Sequence, residues 1–168
     1  MTSAPIPYVL DTSVLTQAAR SYYAFDIVPT FWDIMKQCAQ NGHVISIDKV
    51  KDEIEEGKDQ LKDWANGDFH FAFASTDDPN VLAAYAQVIQ WAMSQQQYTD
   101  AAKAEFARAK NADAWVVAYA MAKGCVVVTQ EESAPNSRAK IKIPDVCRAM
   151  QVPCVNTFQM MRELGIVL

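Results

Sequence analysis

Five glycines, four cysteines and two histidines in 168 residues leave little room for several common chemistries. The chain has no Gly-x-Gly-x-x-Gly, no glycine-rich phosphate loop and no Gly-x-Ser-x-Gly. Dinucleotide binding, P-loop phosphate transfer and serine hydrolysis therefore lack their usual marks. Cys38, Cys125, Cys147 and Cys154 form no Cys-x-x-Cys pair and lie in apolar surroundings, which favours reduced core thiols over disulfides or a zinc site. His43 and His70 fall in apolar segments that read as strands, where structural histidines are expected. A basic excess is also missing: the net charge of -5 argues against a surface generally built for nucleic acid. No hydrophobic run approaches the ~20 residues of a membrane span, the longest uncharged apolar stretch being Ala114 to Ala122. Met1 to Pro5 holds no basic residue leading into an apolar stretch. These absences lead us to expect one cytoplasmic domain over residues 1–168, with no membrane partner. The 51% hydrophobic content is enough to fill its single core.

What is present is an alternation of strand-like and helix-like segments. Ile6, Tyr8, Val9 and Leu10 suit a strand buried on both faces, and Thr12-Ser13 begin a helix. The segment Arg20 to Asp26 is aromatic and irregular; it reads as a packed loop whose rings could also stack on bases. Pro29 to Gln40 carries apolar residues at helical spacing and stops at Asn41-Gly42. His43 to Ile47 reads as a second strand, with Asp48 placed to cap the next helix through its side chain. Phe69, Phe71 and Phe73 alternate as in a strand with one exposed face. A long helix opens at Asp77-Asp78-Pro79 with an apolar stripe of Val81, Leu82, Tyr85, Val88, Ile89 and Ala92, and another spans Thr99 to Lys110. The segment from Ala114 to Ala122 is helical and apolar on every side, hence buried. The strand Cys125 to Thr129, a short helix at Pro144, the strand Val152 to Val155 and the helix Thr157 to Leu164 complete the chain. This order predicts a three-layer α/β fold, a parallel twisted sheet of about five strands with helices on both faces.

Four acids stand out by place: Asp11 after the first strand, Glu53 in the helix after the second, Asp113 in the first turn of the buried helix, and Glu131 after the fourth strand. In open α/β sheets the carboxyl edge of the strands is where ligands collect. On a helical wheel Glu53 borders the apolar face defined by Val50, Ile54 and Leu61, whereas Asp52, Glu55 and Glu56 point to solvent. Each acid alone has an ordinary explanation as a cap, a helix-dipole partner or a surface charge. Together they describe a cluster that repels itself unless a cation lies between its members. Hard oxygen donors without His or Cys suit Mg²⁺ or Mn²⁺, and such ions promote phosphodiester hydrolysis. With four clustered acids set aside, the rest of the chain is nearly neutral, which leaves room for a local basic patch at Arg138, Lys140 and Lys142.

The strand ending in Asp11-Thr12-Ser13, the acid Glu53, Asp113 before a buried helix, and Thr129-x-Glu131 after a valine-rich strand resemble the PIN-domain ribonucleases over nearly the whole chain. The resemblance implies a metal-dependent endoribonuclease, with Mg²⁺ or Mn²⁺ on Asp11, Glu53, Asp113 and Glu131. It further implies the toxin of a toxin-antitoxin pair, an RNA substrate, an antitoxin protein partner and a homodimer. Thr12, Ser13, Thr129, Arg138, Lys140 and Lys142 are then the expected substrate contacts. Two features depart from the family pattern: a longer Glu131 followed by Glu132 replaces the usual Asp, and the chain carries an aromatic loop at 20–28 and extra helix within 79–110. Glu132 and Asp145 are alternative fourth acids. Two other readings stay open, a catalytically degenerate PIN-like binding module and a haloacid-dehalogenase-like phosphatase. The latter needs a second Asp where this chain has Ser13.

Overall fold

A computed structural model of the chain describes residues 5–168. Five strands form one open, all-parallel sheet: β1 (Tyr8–Leu10), β2 (Val44–Ile47), β3 (Phe73–Ala74), β4 (Val126–Val128) and β5 (Cys154–Val155), in the order β3-β2-β1-β4-β5. Nine α-helices flank it among the described residues: α1 (Thr12–Gln17), α2 (Pro29–Gln40), α3 (Asp48–Glu55), α4 (Gln60–Asn66), α5 (Pro79–Ser94), α6 (Asp100–Phe106), α7 (Ala112–Lys123), α8 (Ile143–Met150) and α9 (Thr157–Glu163). Successive strand residues point to opposite faces. Val9 with Leu10, and Val127 with Val128, are all fully buried, so the sheet is covered on both sides. This is the α/β architecture expected from the alternation.

The chain lays down β1, β2 and β3 outward in one direction, then crosses back to place β4 on the other side of β1. The crevice of a doubly wound sheet opens at such a reversal, here between the carboxyl ends of β1 and β4. The ladder sets this edge closely. Leu10 pairs with Val128, the Asp11 amide donates to the Val128 carbonyl at 2.9 Å, and the Thr129 amide donates to the Val155 carbonyl at 3.0 Å.

Several local expectations need correction. β1 starts at Tyr8, and Ile6 lies outside it, exposed. The Phe69–Phe73 alternation is not a strand but a 3₁₀ turn, His70–Ala72, before the two-residue β3. Phe69 is drawn into the core by stacking on Trp64 (4.5 Å) while Phe71 is exposed, and tertiary packing of rings therefore overrides the period-2 pattern. His70 is accordingly exposed, its Nδ1 3.3 Å from the Lys51 Nζ. The Asp48 side chain does not cap α3; its carboxylate accepts from the Thr76 amide and hydroxyl, tying the end of β3 to the start of α3. Leu82 is exposed on α5, whose buried positions are Val81, Ala84, Val88 and Ala92. The helix expected over Thr99 to Lys110 ends at Phe106, with Thr99 as its cap.

α7 decides where one of the acids stands. It is buried almost throughout, and Tyr85 of α5 stacks on its Trp115 at 3.8 Å. Its N-terminus is capped by Asn111, and its C-terminus closes on Gly124 in the left-handed conformation (φ 69°), which glycine adopts without Cβ strain.

Candidate functional site

Asp11 emerges from β1 into the reversal crevice. It occupies the N-cap position of α1 but makes no side-chain capping bond. Its Oδ2 instead accepts from the Ser13 hydroxyl (2.7 Å) and the Thr129 hydroxyl (3.0 Å), the latter reaching across from the end of β4. The carboxylate is nearly fully buried. Burial raises its pKa most, the two hydroxyls oppose that rise, and the charge of Glu131 adds to it.

The other acids face the same crevice from three elements. Glu53 projects from α3 and accepts from the Thr12 hydroxyl at 2.9 Å; burial, then Asp11, hold its pKa above the ordinary range. Asp113 lies in the first turn of α7, but the capping there belongs to Asn111, whose Oδ1 accepts from the Asp113 amide at 2.9 Å. The Asp113 carboxylate is thus not committed to its own helix end. Its pKa is pushed up to about 8, by burial first and then by Asp11, Glu131 and Glu53, with Lys140 opposing. Glu53, Asp113, Glu131 and Lys140 line one open cavity of about 280 Å³ together with Asn111, Arg108, Lys110, Glu105 and Glu56. Glu56, expected to face solvent only, therefore borders the acids and helps raise the pKa of Glu53.

Glu131 is more heavily engaged. Its Oε2 accepts from the Ile143 amide (2.8 Å), satisfying the first turn of α8. Its Oε1 lies 3.2 Å from the Lys140 Nζ. Glu132 is exposed and does not join the acids. Asp145 is buried for a different reason: it accepts from the Ser133 hydroxyl (2.6 Å) and the Ala134 amide (2.8 Å), anchoring the loop after β4. Of the three basic residues expected at the site, Lys140 lines the acid cavity and Arg138 and Lys142 do not. The hydroxyls expected to touch substrate, those of Thr12, Ser13 and Thr129, are spent on Glu53 and Asp11, where they orient carboxylates. Sequence reading missed the Lys140–Glu131 pair and the cap at Asn111. The latter had a signal, an Asn two residues before an acid at a helix start.

Among the described residues, no three acidic, histidine or cysteine side chains form a ready-made metal-binding group, so the acids of this edge would have to draw together around an ion. Asp11, Glu53 and Glu131 each take a donor from the protein instead, as like charges in a partly buried site require. The donor set is nevertheless all hard oxygen, and burial and mutual repulsion raise the pKa values of Asp11, Glu53 and Asp113. In donor chemistry these residues fit a divalent cation of the Mg²⁺ or Mn²⁺ kind.

A family model described as a domain of unknown function, DUF4411, matches residues 8–168. The chain belongs to the DUF4411 family. The match covers every strand and helix described above, so the acid-bearing edge lies wholly within the DUF4411 domain. A search of curated proteins returns no match to this DUF4411 chain. No helix of the described residues is long and apolar enough to cross a membrane.

Proposed function

We propose that this DUF4411 protein is a divalent-metal-dependent endoribonuclease that hydrolyses phosphodiester bonds at the edge shared by β1 and β4. The observation that carries the reading is that Asp11, Glu53 and Asp113 come from three separate elements to one sheet edge. There the charge of Asp11 helps raise the pKa of Glu53, those of Asp11, Glu131 and Glu53 help raise that of Asp113, and that of Glu131 helps raise that of Asp11. A cation would relieve a cost that the fold otherwise leaves standing. The resemblance to PIN-domain ribonucleases supports the same chemistry, and the toxin role, RNA substrate, antitoxin partner and homodimer are proposed on that resemblance alone.

Asp11, Glu53 and Asp113 would hold Mg²⁺ or Mn²⁺, which when bound supplies a Lewis acid and a water of lowered pKa. The remaining work belongs to the chain. Ser13 and Thr129 fix the rotamer of Asp11, and Thr12 fixes Glu53, so neither carboxylate needs to reorganise during the reaction. The Lys140 Nζ, held at Glu131, supplies positive charge at the mouth of the cavity where a scissile phosphate would enter. The test is cleavage of single-stranded RNA with Mn²⁺, with EDTA, and with Asp11→Asn. Cleavage that requires both the metal and Asp11 is expected; equal cleavage by the variant would remove the site assigned here.

A further inference from the structure

Beside the acid cavity lies a larger, open groove of about 780 Å³. Thr129 and Glu131 line its inner end, so it runs directly out of the acid site. Its outer part is bounded by α8, the end of β5, the start of α9 and a π-turn, Ala18–Tyr22, that continues α1. Two side chains within it stand out, Arg148 and Tyr22.

The first is Arg148. Its side chain is 62% exposed, yet its position is fixed: Nη2 donates to the Ser133 hydroxyl at 2.8 Å and lies 3.5 Å from the Asp145 Oδ1. The buried Asp145 is itself held by Ser133 and Ala134. A guanidinium carries five N–H donors in a planar fork. Anchoring one edge of it to Asp145 and Ser133 presents the rest at the groove wall as a preoriented site for a phosphate.

The second is Tyr22. Of the three rings in the aromatic segment, Tyr23 stacks on Phe31 at 4.4 Å and Phe25 stacks on Trp32 at 4.0 Å, so both belong to the core. Tyr22 is 51% exposed and stands edge-on to Phe158 at 5.4 Å, which steadies the ring while leaving ring surface open to the groove. A steadied ring and a fixed guanidinium on the walls of one groove match the two repeating units of a single strand, base and phosphate. Asn156, whose Oδ1 caps α9 by accepting from the Gln159 amide, keeps its Nδ2 as a donor suited to a base edge.

We infer that this groove binds single-stranded RNA leading away from the acid site, with Arg148 on a backbone phosphate and Tyr22 stacked against a base. The inference deepens the nuclease reading and rests on it for the identity of the strand. A duplex could not use Tyr22, because its bases are already stacked on one another.

The test measures fluorescence anisotropy of a short fluorescein-labelled oligouridylate with the full chain in EDTA, over a range of salt. The same mixtures, given Mn²⁺, are run on denaturing gels. Arg148→Ala should weaken binding and reduce the slope of log affinity against log salt by about 0.7, the loss of one phosphate contact on a single strand; Arg148→Lys should restore much of that slope. Tyr22→Ala should weaken binding about fivefold or more, as loss of one stacked base predicts, whereas Tyr22→Phe should bind as wild type does. Lys58→Ala, an exposed charge outside the groove, serves as control, and thermal melts confirm that each variant is folded. If wild type binds and cuts RNA and both alanine variants bind equally well, the groove assignment is overturned and the nuclease reading stands. If binding needs Arg148 and Tyr22 but Mn²⁺ brings no cleavage, the groove is upheld and the nuclease reading fails. If wild type binds no RNA, the groove assignment is overturned.

Discussion

Replacing Asp113 by Asn should flatten the pH dependence of stability of the metal-free protein. An unfolded chain releases the aspartate proton near 3.8, whereas burial and then the neighbouring acids push Asp113 in the fold up to about 8. Between those values the folded state keeps a proton that the unfolded state has lost. This contribution to stability is therefore whole at low pH and declines as pH rises toward 8, by about 1.4 kcal/mol per pH unit. An asparagine has no proton to hold and escapes this decline. From pH 5 to pH 7 the wild type should lose up to about 3 kcal/mol more than Asp113→Asn, an upper figure because Asp113 is partly exposed. For a domain of this size that is roughly 6–12 °C in melting temperature. Scanning calorimetry of both proteins in EDTA at pH 5 and pH 7 reads the difference. Melting temperatures that fall in parallel would refute the burial and repulsion assigned to this carboxylate.

Other expectations follow from the same geometry. Asp11→Asn should abolish Mn²⁺-dependent RNA cleavage while leaving the metal-free melting temperature equal or higher, since it removes a buried charge and its repulsion; a variant that melts far lower in EDTA would make Asp11 a structural residue. Lys140→Met should lower metal-free stability by about 1 kcal/mol or less, because the pair with Glu131 is half exposed, and the deficit should shrink when Mn²⁺ is added; urea titrations with and without the ion would show a constant deficit if Lys140 has no bearing on the acids. Leu10→Ala should cost about 2–5 kcal/mol in urea unfolding, because Leu10 is fully buried one residue before the site; a loss below about 1 kcal/mol would contradict the packing described for β1.

The acids were legible because the properties that place them are local. Asp11 ends an apolar run, Asp113 opens a uniformly apolar helix, and Glu53 borders the buried stripe on a helical wheel. Strand order and the reversal between β1 and β4 then bring them to one edge without further information. The misreadings share a different cause. Phe69 and Phe71 mimic a strand by spacing, but only Phe73 enters one; Phe69 stacks on Trp64, which itself packs against Phe25 and Trp32 from other segments. Leu82 is as apolar as Val81, and only the position of α7 decides which of the two is covered. Adjacent Tyr22 and Tyr23 part company because a π-turn, whose Tyr23 amide donates to the Ala18 carbonyl, redirects one ring to the core and the other to the groove. Lys140 meets Glu131 across a loop with no periodicity to read, and the same loop explains why Arg138 and Lys142 do not follow it into the cavity.

Calorimetric titration of Mn²⁺ into the metal-free protein tests the central claim most directly, because it asks whether the acids hold an ion before any substrate is considered. Wild type should bind with an affinity that falls at least tenfold in Asp11→Asn, and comparably in Glu53→Gln and Asp113→Asn, since direct ligands are lost in each. Equal Mn²⁺ affinity in wild type and all three variants would contradict a shared metal site at the β1–β4 edge.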